Sequence, residues 1–264
     1  GKDFVSNIER LYYGCEVCEN LIPSVEEIKK AITIAQEKEL DFTFVTPYVG
    51  PKGIEKLHVL FEYLNTLDDI EVVVNDIGVL HILEKKYQNL IPTLGRLLVK
   101  MKRDPRFTLT KYDIFEEAVK NPSKIIKNQE KVLQENSIDI EEYRDFLKNK
   151  GITRIGVDVT RQGINDKKFK AWGFPFDLYW PWTYITSGRN CNIAGHTQSA
   201  KAIHPTDESC FKQCKMYEFN FTSDKKTFQT VQRGTAVWMD SHTLYKDNFK
   251  KPFGRLIYQP YIPV

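Results

Sequence analysis

The residues of this chain best suited to chemistry are its five cysteines. Cys15 and Cys18 stand with two residues between them in "YYGCEVC", Cys191 lies in "SGRNCNIAG", and Cys210 and Cys214 lie in "SCFKQCK". Thiolates are soft ligands, and four of them in a tetrahedral array suit zinc or an iron–sulfur cluster. Close pairs serve such sites because one turn of backbone lets both sulfurs converge on one ion or one cluster corner. The odd count and the absence of an apolar signal core in "GKDFVSNIER" argue against a disulfide framework. In a reducing compartment, grouped thiols bind metal or do redox chemistry, whereas any single one reads as inert packing. Spacing leaves zinc and a cluster both open. Structural zinc sites usually close on local pairs, whereas here the two groups sit near opposite ends of the chain, as in a cluster held by loops from distant strands.

A second set of residues reads as substrate-binding: Asn75, Asp76, Arg96, Asp158 and Arg189. An arginine among them offers a bidentate grip on a dicarboxylate. Each has a plainer reading. Asn75 or Asp76 would cap the following helix, and Arg96 and Asp158 would pair with neighbours of opposite charge. The aromatic run Phe174, Phe176, Tyr179, Trp180, Trp182 and Tyr184 fits core packing better than a ring-shaped ligand pocket. Lys100, Lys102, Arg103 and Arg106 read as a solvated rim, too sparse for a nucleic-acid surface. His196 and His204, between Cys191 and Cys210, read as loop histidines rather than ligands. The sequence holds neither an HExxH zinc motif nor a G-x-S-x-G elbow.

The elements that must position these residues follow from periodicity. "IERLYYGC", "DFTFVTPYVG", "IEVVVND" and "IPTLGRLLVKM" read as strands. They alternate with helical patterns in "PSVEEIKKAITIAQEKEL", "PKGIEKLHVLFEYLNTL" and "IGVLHILEKKY". Such alternation predicts an α/β protein with a parallel sheet. Residues 104 to 150 break the rhythm as a charged helical insertion. Strand signals resume in "ITRIGVDV", "FPFDLYWPWTYITSG", "CKMYEFNFTS" and "GTAVWMDS", with short connections. The expected fold is one (β/α) barrel-like domain over 1–264, related to the TIM barrel and irregular in its C-terminal half. An open doubly wound sheet is the alternative. In a parallel barrel, chemistry gathers at the C-terminal ends of the strands. That rule puts the early and late cysteines, Tyr48, Asn75, Asp76, Asp158 and Arg189 on one face.

Composition narrows the function classes. At 264 residues, 41% hydrophobic and 28% charged, the chain is an ordinary soluble protein. It is large enough to bury about three quarters of its unfolded surface, so it needs no metal merely to stay folded. A net charge of +3 does not argue for nucleic acid, membrane or acidic substrates. No apolar run approaches the roughly 18 residues of a membrane span. The expected location is cytoplasmic.

"YYGCEVC", "VNDIGVL", "LGRLLVKMKRDPR" and "WTYITSGRNCNIAG", in that order, together resemble the peptidase U32 family. The resemblance implies a barrel-like (β/α) domain and an oxygen-sensitive [4Fe–4S] cluster. Matched by position, Cys191, Cys210 and Cys214 would be three ligands and Cys18 the fourth, with Cys15 as its alternative. It further implies an enzyme or enzyme subunit in oxygen-independent hydroxylation or a related modification. A paralogous subunit would be the partner and a small molecule the substrate. A zinc-stabilised binding module and a U32-type peptidase are the competing readings.

Overall fold

The computed structural model describes residues 8–103, 128, 131–195, 210–222, 229–244 and 254–263. Seven parallel strands form one sheet: β1 (Arg10–Gly14), β2 (Asp41–Val45), β3 (Glu71–Val74), β4 (Ile91–Leu94), β5 (Ile155–Asp158), β6 (Phe176–Trp180) and, last in the chain, β11 (Gly254–Tyr258). Their spatial order is their chain order. Each crossover therefore returns to the next position and its helix falls on the same face. A doubly wound sheet would instead reverse direction partway, which disposes of that alternative.

The helices are α1 (Val25–Glu37), α2 (Pro51–Leu64), α3 (Ile77–Lys86), α4 (Glu141–Asn149) and α5 (Asp166–Trp172). Ser24 and Glu27 close a capping box at the start of α1. Pro51 opens α2, where its missing N–H loses nothing. On α2, Leu57, Leu60, Phe61 and Leu64 recur at helical spacing and are buried against the sheet. Each such side chain contributes about 1.5–3 kcal/mol relative to exposure. The opposing strand residues Phe42, Phe44, Val72, Val74, Ile155, Val157, Phe176 and Leu178 complete this core.

The other face of the sheet is concave and polar. Arg255 on β11 reaches across it to Tyr12 on β1, at 3.3 Å, and to Glu71 on β3, at 2.6 and 3.0 Å. The sheet is thus curled into a half-barrel, but no ladder joins β1 to β11 among the described residues. The expected barrel-like (β/α) architecture is present in its coarser form, a half-barrel that is not closed among the described residues.

The reason lies in the late strands. After β6 the chain leaves the parallel pattern and builds a separate antiparallel sheet, in the order β7 (Trp182–Ser187), β10 (Ala236–Asp240), β9 (Gln229–Arg233), β8 (Phe219–Thr222). "FPFDLYWPWTYITSG" is therefore two strands in two sheets, divided at Pro181. β4 ends at Leu94 rather than running on to Met101, and the turn that follows carries Arg96. Of the 104–150 stretch, α4 supplies a helix between β4 and β5; residues 104–127 and 129–130 lie outside the described residues, as do His196 and His204.

Candidate functional site

The site begins where β1 ends. Gly14 has φ +139°, and a Cβ there would meet the Val45 carbonyl oxygen at 2.1 Å, so only glycine lets the chain turn off β1. The Cys15 N–H then donates to that same carbonyl at 3.2 Å. The Cys15–Cys18 loop is fixed from two further sides. Thr235, between β9 and β10, donates its hydroxyl to the Val17 carbonyl at 2.7 Å. Glu19, in the 3-10 turn Glu19–Leu21, accepts from the Gly50 N–H at 2.7 Å.

The late cysteines come from the chain between β7 and β8. Tyr48, beyond β2, donates its hydroxyl to the Gly188 carbonyl at 2.6 Å and ties that segment to the sheet. Cys191 is buried at the start of the short helix α6 (Asn192–Gly195), and its sulfur accepts the Ala194 N–H at 3.4 Å. Cys214 is buried in the 3-10 turn Gln213–Lys215, entered through Lys212 at φ +58°. That turn packs against α6. All five cysteines are free thiols.

Electrostatics separates the two early thiols. Burial pushes the Cys18 thiol up to about 11, and the charges of Cys210, Cys214 and Cys191 add to the rise. Cys214 is raised by burial, then by Cys191 and Cys210, while Arg233 pulls it down. Cys15 is also raised, first by burial, but its charged neighbours are Cys18 and Glu16. Cys18 is thus the early thiol within electrostatic reach of the three late cysteines, whereas Cys15 lines a cavity at the mouth of the half-barrel. As the side chains stand, no group of three or more His, Cys, Asp or Glu among the described residues is gathered tightly enough to hold a metal ion.

The mouth cavity has a volume of about 490 Å³. Tyr12, Glu16 and Tyr179 line its polar side, and the Gln259–Pro263 segment after β11 forms a wall. Beside it lies a fully buried charge. Arg96 is fully buried and donates from Nε and Nη2 to the Glu16 carboxylate at 2.5–3.2 Å. Its Nη1 donates to Asp158 Oδ1 and to the Trp182 carbonyl, both at 2.7 Å. The guanidinium stacks on Tyr179 at 4.1 Å and on Trp238 at 4.8 Å. Arg103 donates to the other oxygen of Asp158 at 2.6 Å. Burial pushes the Glu16 carboxyl up against the pull of Arg96. The Arg96 guanidinium stays charged: burial opposes this, but Glu16 and Asp158 outweigh it.

Of the residues expected to bind substrate, Arg96 and Asp158 are brought together, and each is occupied by the other. Asn75 is buried and spends its amide on backbone, donating to the Thr46 carbonyl at 2.9 Å and accepting from the Leu97 N–H at 3.2 Å. Asp76 caps α3, accepting from the Gly78 and Val79 N–H groups at 2.7 and 3.2 Å. Arg189 is exposed, two residues before Cys191. Arg103 is no solvated rim residue, because its pairing with Asp158 draws its side chain to 6% exposure. Of the aromatic run, Phe174 and Phe176 pack in the main core, while Tyr179 faces the cavity. Glu16, Arg233 and Gln259 were not singled out from sequence. For Glu16 a signal existed: it is a carboxylate at a strand's C-terminal end, where chemistry gathers in a parallel barrel.

No protein-family model matches the chain, and no curated protein matches it. Among solved structures, the U32 peptidase Mk0906 is similar over 98% of this chain and 95% of its own, with a TM-score of 0.41 and 12% identity. No helix among the described residues is long and apolar enough to cross a membrane.

Proposed function

We propose that this is an iron–sulfur protein of the U32 type, in which Cys18, Cys191, Cys210 and Cys214 hold a [4Fe–4S] cluster next to the mouth cavity. The observation that carries the reading is the charge neighbourhood of two thiols: Cys18 has the three late cysteines as neighbours, and Cys214 has Cys191 and Cys210. The four come from two ends of the chain, and Cys18 rather than Cys15 feels the other three. The donor types suit the group, four soft sulfurs, mostly buried, whose protons a bound metal would displace, and the side chains would have to draw closer than they stand to share it. When bound, such a cluster supplies one-electron redox chemistry.

The remaining work falls to the chain's own residues. The cavity would take a small-molecule substrate for oxygen-independent hydroxylation or a related modification, the activity that the sequence resemblance implies. Tyr12, Glu16 and Tyr179 present hydroxyl and carboxyl groups to that space. Gln259–Pro263 forms one wall of it. Arg96 lies one layer behind and keeps Glu16 in place. A paralogous subunit remains part of this reading, as does a cytoplasmic location.

Anaerobic purification followed by iron and sulfide analysis tests the proposal. The expected result is about four of each per chain, with iron retained in Cys15→Ser and lost in Cys18→Ser. One zinc per chain and no sulfide would replace this reading with a zinc-stabilised binding module, whose chelation unfolds the protein.

A further inference from the structure

The Gln259–Pro263 segment is held by two arginines, and each of them also holds a cysteine-bearing loop. Arg233, at the end of β9, donates from Nε to the Cys214 carbonyl at 3.0 Å and from Nη2 to the Lys215 carbonyl at 3.3 Å. Its Nη1 donates to the Ile262 carbonyl at 2.8 Å. Arg96 grips Glu16, the residue between Cys15 and Val17, and its Nη2 lies 2.9 Å from the Gln259 side-chain oxygen once that amide is oriented by its neighbours. The Gln259 nitrogen then faces the Trp182 carbonyl at 3.3 Å, and the Gln259 backbone N–H donates to the Trp180 carbonyl at 2.8 Å. Glu16, Arg233, Gln259 and Ile262 all line the mouth cavity.

We propose that Arg233 and Arg96 are positioning residues for the four-cysteine site, each bridging one cysteine-bearing loop to the segment that walls the cavity. The inference rests on the reading of those cysteines as one site, and extends it by naming what holds the two halves in register. The geometry favours arginine for this task. A planar fork with five N–H donors can serve three separate carbonyls at once, which a lysine ammonium on a flexible stem cannot do with the same precision. Arg233 matters most for the late loop, whose turn contains Lys212 in the left-handed region. The early loop has further anchors in Thr235 and Glu19. Occupying the cavity and ordering the cysteines therefore draw on the same segment.

The test compares Arg233→Ala, Arg233→Lys and Gln259→Ala with the full-length wild type, all prepared anaerobically. Arg255→Lys, at the strand-start end of the concave face where the residue pairs with Glu71, serves as a control for general destabilisation. Three quantities are read: iron retained after desalting, the alkylation rates of Cys18 and Cys214 in chelator-stripped protein, and amide exchange at Tyr261 and Ile262. Arg233→Ala is expected to label Cys214 about tenfold faster, to speed exchange at Ile262 and to lower iron retention. Arg233→Lys restores little of this, and Gln259→Ala shifts Cys18 by a smaller factor. Arg255→Lys lowers the melting temperature and leaves Cys214 labelling at the wild-type rate.

The inference is overturned if Arg233→Ala frees the 259–263 segment without changing Cys214 labelling. It is equally overturned if Arg255→Lys accelerates that labelling as much. A wild type without iron or sulfide defeats the cluster reading alone, since the labelling rates of the stripped protein still decide the positioning role.

Discussion

The concave face of the sheet carries charge at both ends, and the two ends are built differently. At the strand starts, Arg255 holds Glu71 and Arg154 holds Asp177, with Arg10 3.5 Å from Glu71 as well. At the strand ends, Arg96 holds Glu16 and Asp158, and Arg103 holds Asp158. The lower arginine side chains are 13–29% exposed, whereas Arg96 and Asp158 are at 0%. Glu71 at the strand starts is also served redundantly, receiving a hydrogen bond from Thr43 besides those from Arg255. The upper pair has no solvent to fall back on. A partly wet brace tolerates losing a member, and a sealed one does not, because any charge left behind stays buried.

Arg96→Met breaks the comparison most directly. It strands Glu16 in the interior and leaves Asp158 to Arg103 and the Tyr184 N–H, and the expected loss is about 3–5 kcal/mol, measured by urea unfolding at neutral pH. A loss under about 1 kcal/mol would mean that the mouth is as forgiving as the base, and the contrast would fail. Arg255→Met is the matched change below. Glu71 keeps Arg10, Thr43 and some water, so the expected loss is about 1–2 kcal/mol. Equal losses in the two variants would erase the distinction.

The acid side of the stability profile sharpens it. Burial pushes Glu71 up, but the hydrogen bond from Arg255 and the charges of Arg10 and Arg255 outweigh it and hold its carboxyl below the ordinary value of 4.5. A carboxylate with a depressed folded pKa stabilises the fold above its unfolded value, and that stability is lost as pH falls through the folded one. Glu71→Gln should therefore be less stable than wild type at neutral pH, with the gap closing below pH 4.5. Glu16 is raised, so its contribution runs the other way: full below its unfolded value and lost as pH rises through the folded one. Glu16→Gln should lack that alkaline-going decline. Parallel pH profiles for the two variants would contradict the assignment of opposite shifts.

Much of this arrangement could be read from local pattern. Ser24 and Glu27 announce a capping box, and the run from Glu71 to Val74 announces a strand covered on both faces. The repeated strand–helix alternation announces a parallel sheet, although barrel-like and doubly wound orders both satisfy it. What stayed hidden depends on long-range contact. Gly254–Tyr258 becomes the seventh strand only because β6 leaves an edge unpaired, and nothing local to it signals a parallel partner far back in the chain. The antiparallel sheet was hidden for the same reason: "FPFDLYWPWTYITSG" looks like one aromatic strand until Pro181 divides it between sheets. The cysteines were legible as a group by residue type. Their supports were not, since Arg233 and Gln259 are ordinary surface residue types whose partners lie elsewhere in the chain.

Asp76 supplies the smallest and most discriminating change at the mouth. It stands at a strand's C-terminal end, where a polar residue invites a ligand-binding role. Yet one carboxylate oxygen accepts the Gly78 and Val79 N–H groups and the other accepts the Val49 N–H at 3.4 Å, so both are engaged with backbone. Losing an N-cap of this kind costs about 1 kcal/mol. Asp76→Ala is thus expected to lower stability by about that amount in urea unfolding, and to leave iron content and Cys18 labelling unchanged. Asp76→Asn, which keeps an acceptor oxygen, should recover most of the loss. If Asp76→Ala removes iron or ligand binding at unchanged stability, the carboxylate belongs to the site rather than to the helix. The mouth would then hold a working acid outside the sealed Arg96 network.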